Sequence, residues 1–254
     1  MKKSFILFAT FFSLSSVFLT SCSDDDDVDA PDYTPAPSTV ISSNFDPEFA
    51  AKLQEAGVVK NANAITYGEV MNVTSLNVAG NPLVADGKLE SLQGVQYFTA
   101  LQTLECQNNA ISELDVSFND DLVTLKCDNN KIQTLNMTGC DDLEYLYAGK
   151  NELVSADLRG LPEIKVADLS DNNLTSVNVQ GCGKMTTLYI NGNRLTSADI
   201  ATCTSLTAFG CDDNPGSEGS FMVKAWFEDG SQPANFTTAP WAYSGNPVQV
   251  YYYK

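Results

Sequence analysis

Histidine is absent from the 254 residues, and cations are few: 14 Lys and Arg stand against 32 Asp and Glu, a net charge of −18. Without imidazole there is no Ser-His-Asp or Cys-His nucleophile machinery, no His-ligated metal, and no side chain that titrates near neutrality without help. Without clustered cations there is nothing to displace counterions from phosphates, so nucleic acid is excluded as a partner. Docking by charge onto an anionic lipid surface is disfavoured for the same reason. Long apolar runs are also scarce. The one that exists, Phe5 to Leu19, follows Lys2 and Lys3 and contains only small residues, Thr and Ser between its apolar ones. It is too short to span a bilayer with tilt to spare and reads as the core of a signal peptide. With 43% hydrophobic residues, the remainder can bury one good core in a single domain of about 200 residues.

The apolar run ends Leu19-Thr20-Ser21-Cys22. This resembles a bacterial lipobox, which implies cleavage before Cys22 and acylation of its thiol; an ordinary signal peptide with a chance Cys is the alternative. Several acyl chains anchor a protein stably where one does not. Four adjacent carboxylates, Asp24 to Asp27, come next. They repel one another and cannot be buried, so residues 22–44, with Pro31, Pro35 and Pro37, read as an extended acidic and Pro/Ser-rich tether. An acidic run just after the acylated Cys also resembles the export signal of Bacteroides-type lipoproteins. That implies a place on the outer face of the outer membrane, with the lipid as the contact to that membrane.

Residues 101–214 repeat with period 21. The first position holds Leu101, Leu122, Leu143, Ile164, Met185 and Leu206. Three residues on stand Leu104, Leu125, Leu146, Ala167, Leu188 and Phe209, and two further Cys106, Cys127, Ala148, Leu169, Ile190 and Cys211. Then comes an unbroken ladder: Asn109, Asn130, Asn151, Asn172, Asn193 and Asn214. A weaker echo begins ten residues after each start, as in Ile111, Leu114, Val116 and Ile132, Leu135, Met137. The unit therefore reads L-x-x-L-x-C-x-x-N-x-L-x-x-L-x-V, and its alternation suits short strands. No stretch on the return path carries a helical stripe. A coil with an extended segment on each side, stacked so that each rung buries the next, satisfies this pattern. Both halves, Thr103-Leu104-Glu105-Cys106 and Glu113-Leu114-Asp115-Val116, resemble a 21-residue class of bacterial leucine-rich repeats found in Bacteroides-type surface lipoproteins. The resemblance implies a β-rich leucine-rich-repeat solenoid of stacked parallel strands, with a short N-terminal cap helix and a β-rich C-terminal cap. It extends to Val73–Val78 and Leu92–Phe98, which look like irregular entry rungs.

One domain, 45–254, follows the tether: an N-terminal cap at 45–72, entry rungs at 73–100, six repeats at 101–214 and a C-terminal cap at 215–254. Asp46 is placed to cap a helix that opens with Pro47 and stops near Gly57, with Phe45, Phe49 and Leu53 as its apolar stripe. The family often carries a calcium-like loop after this helix. Here Val58 to Ile65 lacks the carboxylates, leaving only Glu69, so calcium is rejected. The aromatic-rich residues 221–254, with Trp226 and Trp241, are too few to fold alone and read as the far cap.

Six cysteines fall on two repeat positions, Cys106, Cys127 and Cys211 on one and Cys140, Cys182 and Cys203 on the other. An exported protein invites disulfides. Stacked rungs, however, hold parallel Cβ vectors about 4.8 Å apart, whereas a disulfide wants Cβ atoms about 3.8 Å apart and converging. Free buried thiols are expected, and stacked ligands on one line cannot form a tetrahedral metal site. The Asn ladder is expected to be structural, each amide bonding the backbone of its own and the next rung. A ligand would meet the outward positions of the first strand, where Tyr145, Tyr147 and Tyr189 cluster with Lys126 and Asp168. The second strand's outward residues are small and polar and read as a solvated face. The expected function is that of a surface binding module for a host protein or a glycan. An accessory structural subunit of an outer-membrane glycan-uptake complex is the alternative. A glycosidase-like enzyme is the least supported, because no carboxylate pair stands in a pocket motif. No catalytic residue, cofactor or metal is assigned.

Overall fold

In the computed structural model, residues 34–84, 87–217, 220–236, 242–243, 246–247 and 249–254 are described. The signal segment, Cys22 and the acidic run therefore lie outside the described residues, as does Trp241. The strands in chain order are β1 (Ser75–Asn77), β2 (Thr103–Glu105), β3 (Glu113–Asp115), β4 (Thr124–Lys126), β5 (Thr134–Asn136), β6 (Tyr145–Tyr147), β7 (Ser155–Asp157) and β8 (Val166–Asp168). They continue as β9 (Ser176–Asn178), β10 (Thr187–Tyr189), β11 (Ser197–Asp199), β12 (Ala208–Gly210), β13 (Ser220–Lys224), β14 (Ala242–Tyr243), β15 (Asn246–Pro247) and β16 (Gln249–Tyr253).

A constant period of 21 brings each strand beside its own copy one rung later. The first-side strands accordingly form one parallel sheet in the order β1-β2-β4-β6-β8-β10-β12. Leu104, Leu125, Leu146, Ala167, Leu188 and Phe209 stand in register along it. All are buried, as are the residues two on from each, from Cys106 to Cys211. The entry rung is longer. Leu76 pairs with Leu104 across β1 and β2, and the excess residues run through a loop whose Leu83 is exposed. Leu92–Phe98 contributes a single 3₁₀ turn, Val95–Tyr97, instead of a strand.

The ends are closed as the sequence suggests. Asp46 Oδ1 accepts the amides of Glu48 and Phe49 at the start of helix α1 (Pro47–Glu55), and Phe49 and Leu53 are buried. Phe45 stacks between Phe49 and Tyr97 over the first rung. Part of the segment read as tether joins this cap: Ile41 is buried, and the amides of Gly68 and Tyr67 donate to Pro37 O and Thr39 O. Glu69 accepts the amides of Lys60 and Thr66, and these bonds hold its carboxyl below the ordinary range. It pins the loop that the sequence considered for calcium. At the far end β13 lies between β11 and β16, both parallel to it. Phe227, Phe236 and Tyr252 cluster there with the half-buried Trp226, and Phe236 reaches Phe209 of the last repeat.

The second side is not a mirror of the first. Its strands pair only two by two, β3 with β5 and β7 with β9, before β11 joins the cap strands. The backbone bond that closes a pair, such as Val116 N–H to Asn136 O or Leu158 N–H to Asn178 O, has no counterpart from β5 to β7 or from β9 to β11 among the described residues. The sequence carries the cause. The turns after β5 and β9 contain Gly139 and Gly181, both near φ +90°, a left-handed backbone that the other turns at this position do not adopt. Leu135, Met137, Ala156 and Val177, expected in the core, are therefore only partly buried.

Candidate binding face

The Asn ladder fixes the turn between the two strands of every repeat. Asn151 shows the pattern: Nδ2 donates to Ala148 O at 3.1 Å in its own rung and to Cys127 O at 3.0 Å in the rung before, and Oδ1 accepts Ile132 N–H at 3.0 Å. Asn130, Asn172, Asn193 and Asn214 repeat it. Asn109 reaches across the longer entry rung to Val78 O and Leu89 N–H. The stitch therefore runs to the preceding rung, not the next one as the sequence suggested. A side chain leaving the turn points back over the coil already laid down. The residue just before each ladder Asn supplies a left-handed turn: Asn108, Asn129, Lys150, Asp171, Gly192 and Asp213 all have positive φ. Asn, Asp and Gly bear that conformation best, and Lys150 is the one long side chain among them.

The six repeat cysteines are buried free thiols, as the stacking geometry requires. Burial pushes up the ionisation of Cys106, Cys127, Cys182, Cys203 and Cys211, to about 11 for Cys182 and about 12 for Cys203, so these five are poor nucleophiles. On the second turn they do more than fill space. Cys140, Cys182 and Cys203 donate weakly to Val116 O, Leu158 O and Val179 O of the preceding rung. Asn119 occupies the same position one rung earlier and donates to Val95 O and Phe98 O.

On the outward surface of the seven-stranded sheet, register groups the candidate residues into rows. Glu105, Lys126, Tyr147, Asp168, Tyr189 and Gly210 are successive neighbours on β2, β4, β6, β8, β10 and β12. Four of the five proposed ligand residues thus share one line. Tyr145 projects from the same face in a parallel row between Thr124 and Val166. Its ring has Lys165 Nζ 6.0 Å from the centroid, and that lysine also pairs with Glu144 at 2.7 Å. Lys126 is held by Glu105 at 2.6 Å, which raises its pKa. Asp168 Oδ1 accepts both the amide and the hydroxyl of Ser170, at 3.0 and 2.6 Å. Tyr189 lies over Gly210, where a Cβ would come within 2.8 Å of its ring, and it remains 39% exposed. Half-buried Asp128, two residues beyond Lys126, has its pKa raised by burial first and then by the negative charge of Asp168.

The opposite side was read as merely solvated, and its polar residues have a further job. Asp115, Asn136, Asp157, Asn178 and Asp199 each accept, through Oδ1, the amide two residues on. They close Asx turns at the end of each second strand. Carboxylate and amide alternate strictly, so no carboxylate at this position lies one rung from another. The spacing of Asp or Asn just before each of these turns is legible in the sequence.

No family model and no curated protein matches the sequence. Solved structures do resemble it. The internalin InlF of Listeria monocytogenes aligns with a TM-score of 0.51 at 21% identity, over 85% of this chain and 73% of that one. Internalin C2 from the same organism aligns at 0.46 and 22%, over 73% of this chain and 92% of that one. The functional domain of InlJ, also from Listeria monocytogenes and described as including a cysteine ladder, aligns at 0.41 and 20% over 81% of this chain. The chain spans 61% of that domain's length. The likeness to InlF agrees with the repeat read from the sequence and the stacked sheet: the fold is a leucine-rich-repeat solenoid.

Proposed function

We propose that this protein is a lipid-anchored, cell-surface binding module that recognises a host protein or a glycan along the outward face of its seven-stranded sheet. The observation that carries the reading is the row Lys126–Tyr147–Asp168–Tyr189. It sets two half-exposed tyrosines two strand spacings apart, about 9.6 Å, on a surface that the Asn ladder keeps rigid. Tyrosine gives large contact area with few rotamers to freeze, and interfaces concentrate their energy in such anchors. The anchor rests on Leu19-Thr20-Ser21-Cys22, and the exterior address on Asp24 to Asp27. Cys22→Ala should move the protein from the membrane to the soluble fraction, and membrane retention in that variant refutes the anchor. The released protein, screened on arrays of glycans and host proteins, should give ligands that Tyr147→Ala weakens by about 2 kcal/mol or more. A ligand indifferent to Tyr147→Ala and Tyr189→Ala places the site elsewhere.

A further inference from the structure

The site of the previous section also has a charge imbalance, and resting on that reading we propose that the Tyr147–Asp168–Tyr189 row is a receptor for a cationic side chain, the guanidinium or ammonium group of an extended basic segment on a protein partner. Two of the cations near this face are engaged, and a third, Lys150, acts on Asp128 without an ion pair among the described residues. Lys126 is bound to Glu105 and Lys165 to Glu144. Three carboxylates along the same edge, Asp128, Asp168 and Asp212, have no ion pair among the described residues. Asp168 is central, one strand from Tyr147 on one side and one strand from Tyr189 on the other. Its Oδ1 is held by the amide and hydroxyl of Ser170, and Oδ2 accepts no hydrogen bond from the described residues. A carboxylate fixed in this way presents its second oxygen without further ordering cost.

The surroundings leave room for the incoming group. Gly149 and Gly210 lack the side chains that would crowd the row. A Cβ at 149 would lie 3.3 Å from Asp168 Oδ1, and one at 210 would strike the Tyr189 ring. Tyr189 thus lies against Gly210 and stays partly exposed. A cation over Asp168 stands one strand spacing, about 4.8 Å, from each of the strands that carry the two rings, and either ring attracts it once its centroid comes within roughly 6 Å. The same surface already makes such a contact internally, Lys165 over Tyr145. A planar guanidinium fits best, because it stacks on a ring while donating to a carboxylate. A neutral glycan would stack on the rings but would leave the carboxylates uncompensated.

The test uses the full chain in detergent and a fluorescein-labelled peptide of three Arg-Gly-Gly units, with its citrulline isostere as the uncharged control, read by fluorescence anisotropy. Asp168→Asn keeps an oxygen for Ser170 and removes only the charge. It should weaken the arginine peptide about tenfold, as expected for a charge-assisted contact, and Tyr147→Leu and Tyr189→Leu about threefold each. Glu113→Gln, the same charge change on the exposed opposite side, should change it less than twofold, and the citrulline peptide should not bind measurably. Equal binding of the two peptides overturns the cation proposal; if both tyrosine variants still weaken both peptides, the binding face itself stands. Equal losses from Asp168→Asn and Glu113→Gln show only non-specific attraction to an acidic protein and also overturn it. A neutral oligosaccharide that depends on both tyrosines but not on Asp168 assigns the row to a glycan instead. Indifference of every ligand to all three row variants removes the face as well.

Discussion

Replacing Asn151 by Ala tests whether the ladder holds the coil together. Asn151 is buried and sits in the middle of the stack. Its removal strands the Ile132 amide in the rung before, whereas Cys127 O and Ala148 O each lose one donor and keep another, the side-chain amides of Asn130 and Asn172. Gly149 O keeps a partner, the Asn129 amide. Each buried group left without a partner costs about 1–3 kcal/mol. One such group, with two further hydrogen bonds lost to carbonyls that keep other donors at about 0.5–1.5 kcal/mol each, gives about 2–5 kcal/mol. Ser155→Ala, exposed on β7, is the control and should stay within about 0.5 kcal/mol. Urea unfolding followed by far-ultraviolet circular dichroism measures both, provided the slope is unchanged. Hydrogen exchange adds a local reading, since the Ile132 amide should lose its protection before its neighbours do. Asn151→Asp sharpens the argument. One carboxylate oxygen can still accept Ile132 N–H, while the other must face three carbonyls, those of Cys127, Ala148 and Gly149, so its folded-state pKa is raised above the unfolded value. Such a group costs most above the folded pKa, and the penalty relative to the parent should fade as pH drops towards the unfolded value of about 3.9. An Asn151→Ala cost below about 1 kcal/mol, or one equal to that of Ser155→Ala, would refute the ladder as a source of stability.

Three further outcomes follow from the same geometry. Leu146→Ala empties a fully buried site on the central strand of the seven-stranded sheet and should cost about 2–5 kcal/mol, against little for the outward Thr124→Ala on the neighbouring strand; equal costs in thermal or urea unfolding would mean that the inward and outward phases are exchanged. A denatured, unreduced sample should take up an alkylating reagent at all six repeat cysteines, and a mass showing three blocked pairs would replace the free thiols by disulfides. Asp128→Asn should stabilise the protein at neutral pH, because burial and the Asp168 charge raise the Asp128 pKa and its ionised form opposes folding. That gain belongs to pH values above the folded pKa and should vanish below about pH 4, where Asp128 is protonated in both states; unfolding curves across this range decide it.

Much of this fold was legible because a 21-residue period with no insertion leaves the chain no freedom of register. Leu104, Leu125 and Leu146 had to meet, and with them came the outward row of Lys126, Tyr147, Asp168 and Tyr189. The cap helix was legible for a different reason: Asp46-Pro47 is a local signal that needs no tertiary context. The direction of the ladder was not legible. Asn at one phase declares an inward amide, but which neighbouring rung it serves depends on how the turn tilts. Nor did apolar periodicity reveal the state of the tyrosines. Tyr145 has a lysine beside its ring, while Tyr189 lies over Gly210, a difference fixed by the residues one strand away and not by its own strand.

The broken second sheet shows how a repeat can conceal a longer one. A count of apolar positions treats every rung as equivalent, and on the first side they are. On the second side, Gly139 and Gly181 lie 42 residues apart, the small Ala156 and Ala198 have the same separation, and the Asx-turn residues alternate Asp and Asn. All three mark a unit of two rungs. A left-handed glycine redirects the turn and the ladder of backbone bonds skips a rung, while the alanine that follows still pairs with the next strand, Ala156 with Val177 and Ala198 with Val223. Asp then pairs with Asn within each two-rung unit, Asp115 beside Asn136 and Asp157 beside Asn178, so neighbouring strands do not oppose like charges. The first sheet is continuous because the Asn ladder stitches every rung to the one before. After Asn119 in the first repeat, the second turn has only weak thiol donors at Cys140, Cys182 and Cys203, and Leu161, with no donor in its side chain, stands at that position in between. One side of the coil is thereby rigid enough to hold side chains at fixed spacing, and it is the side that carries the tyrosines.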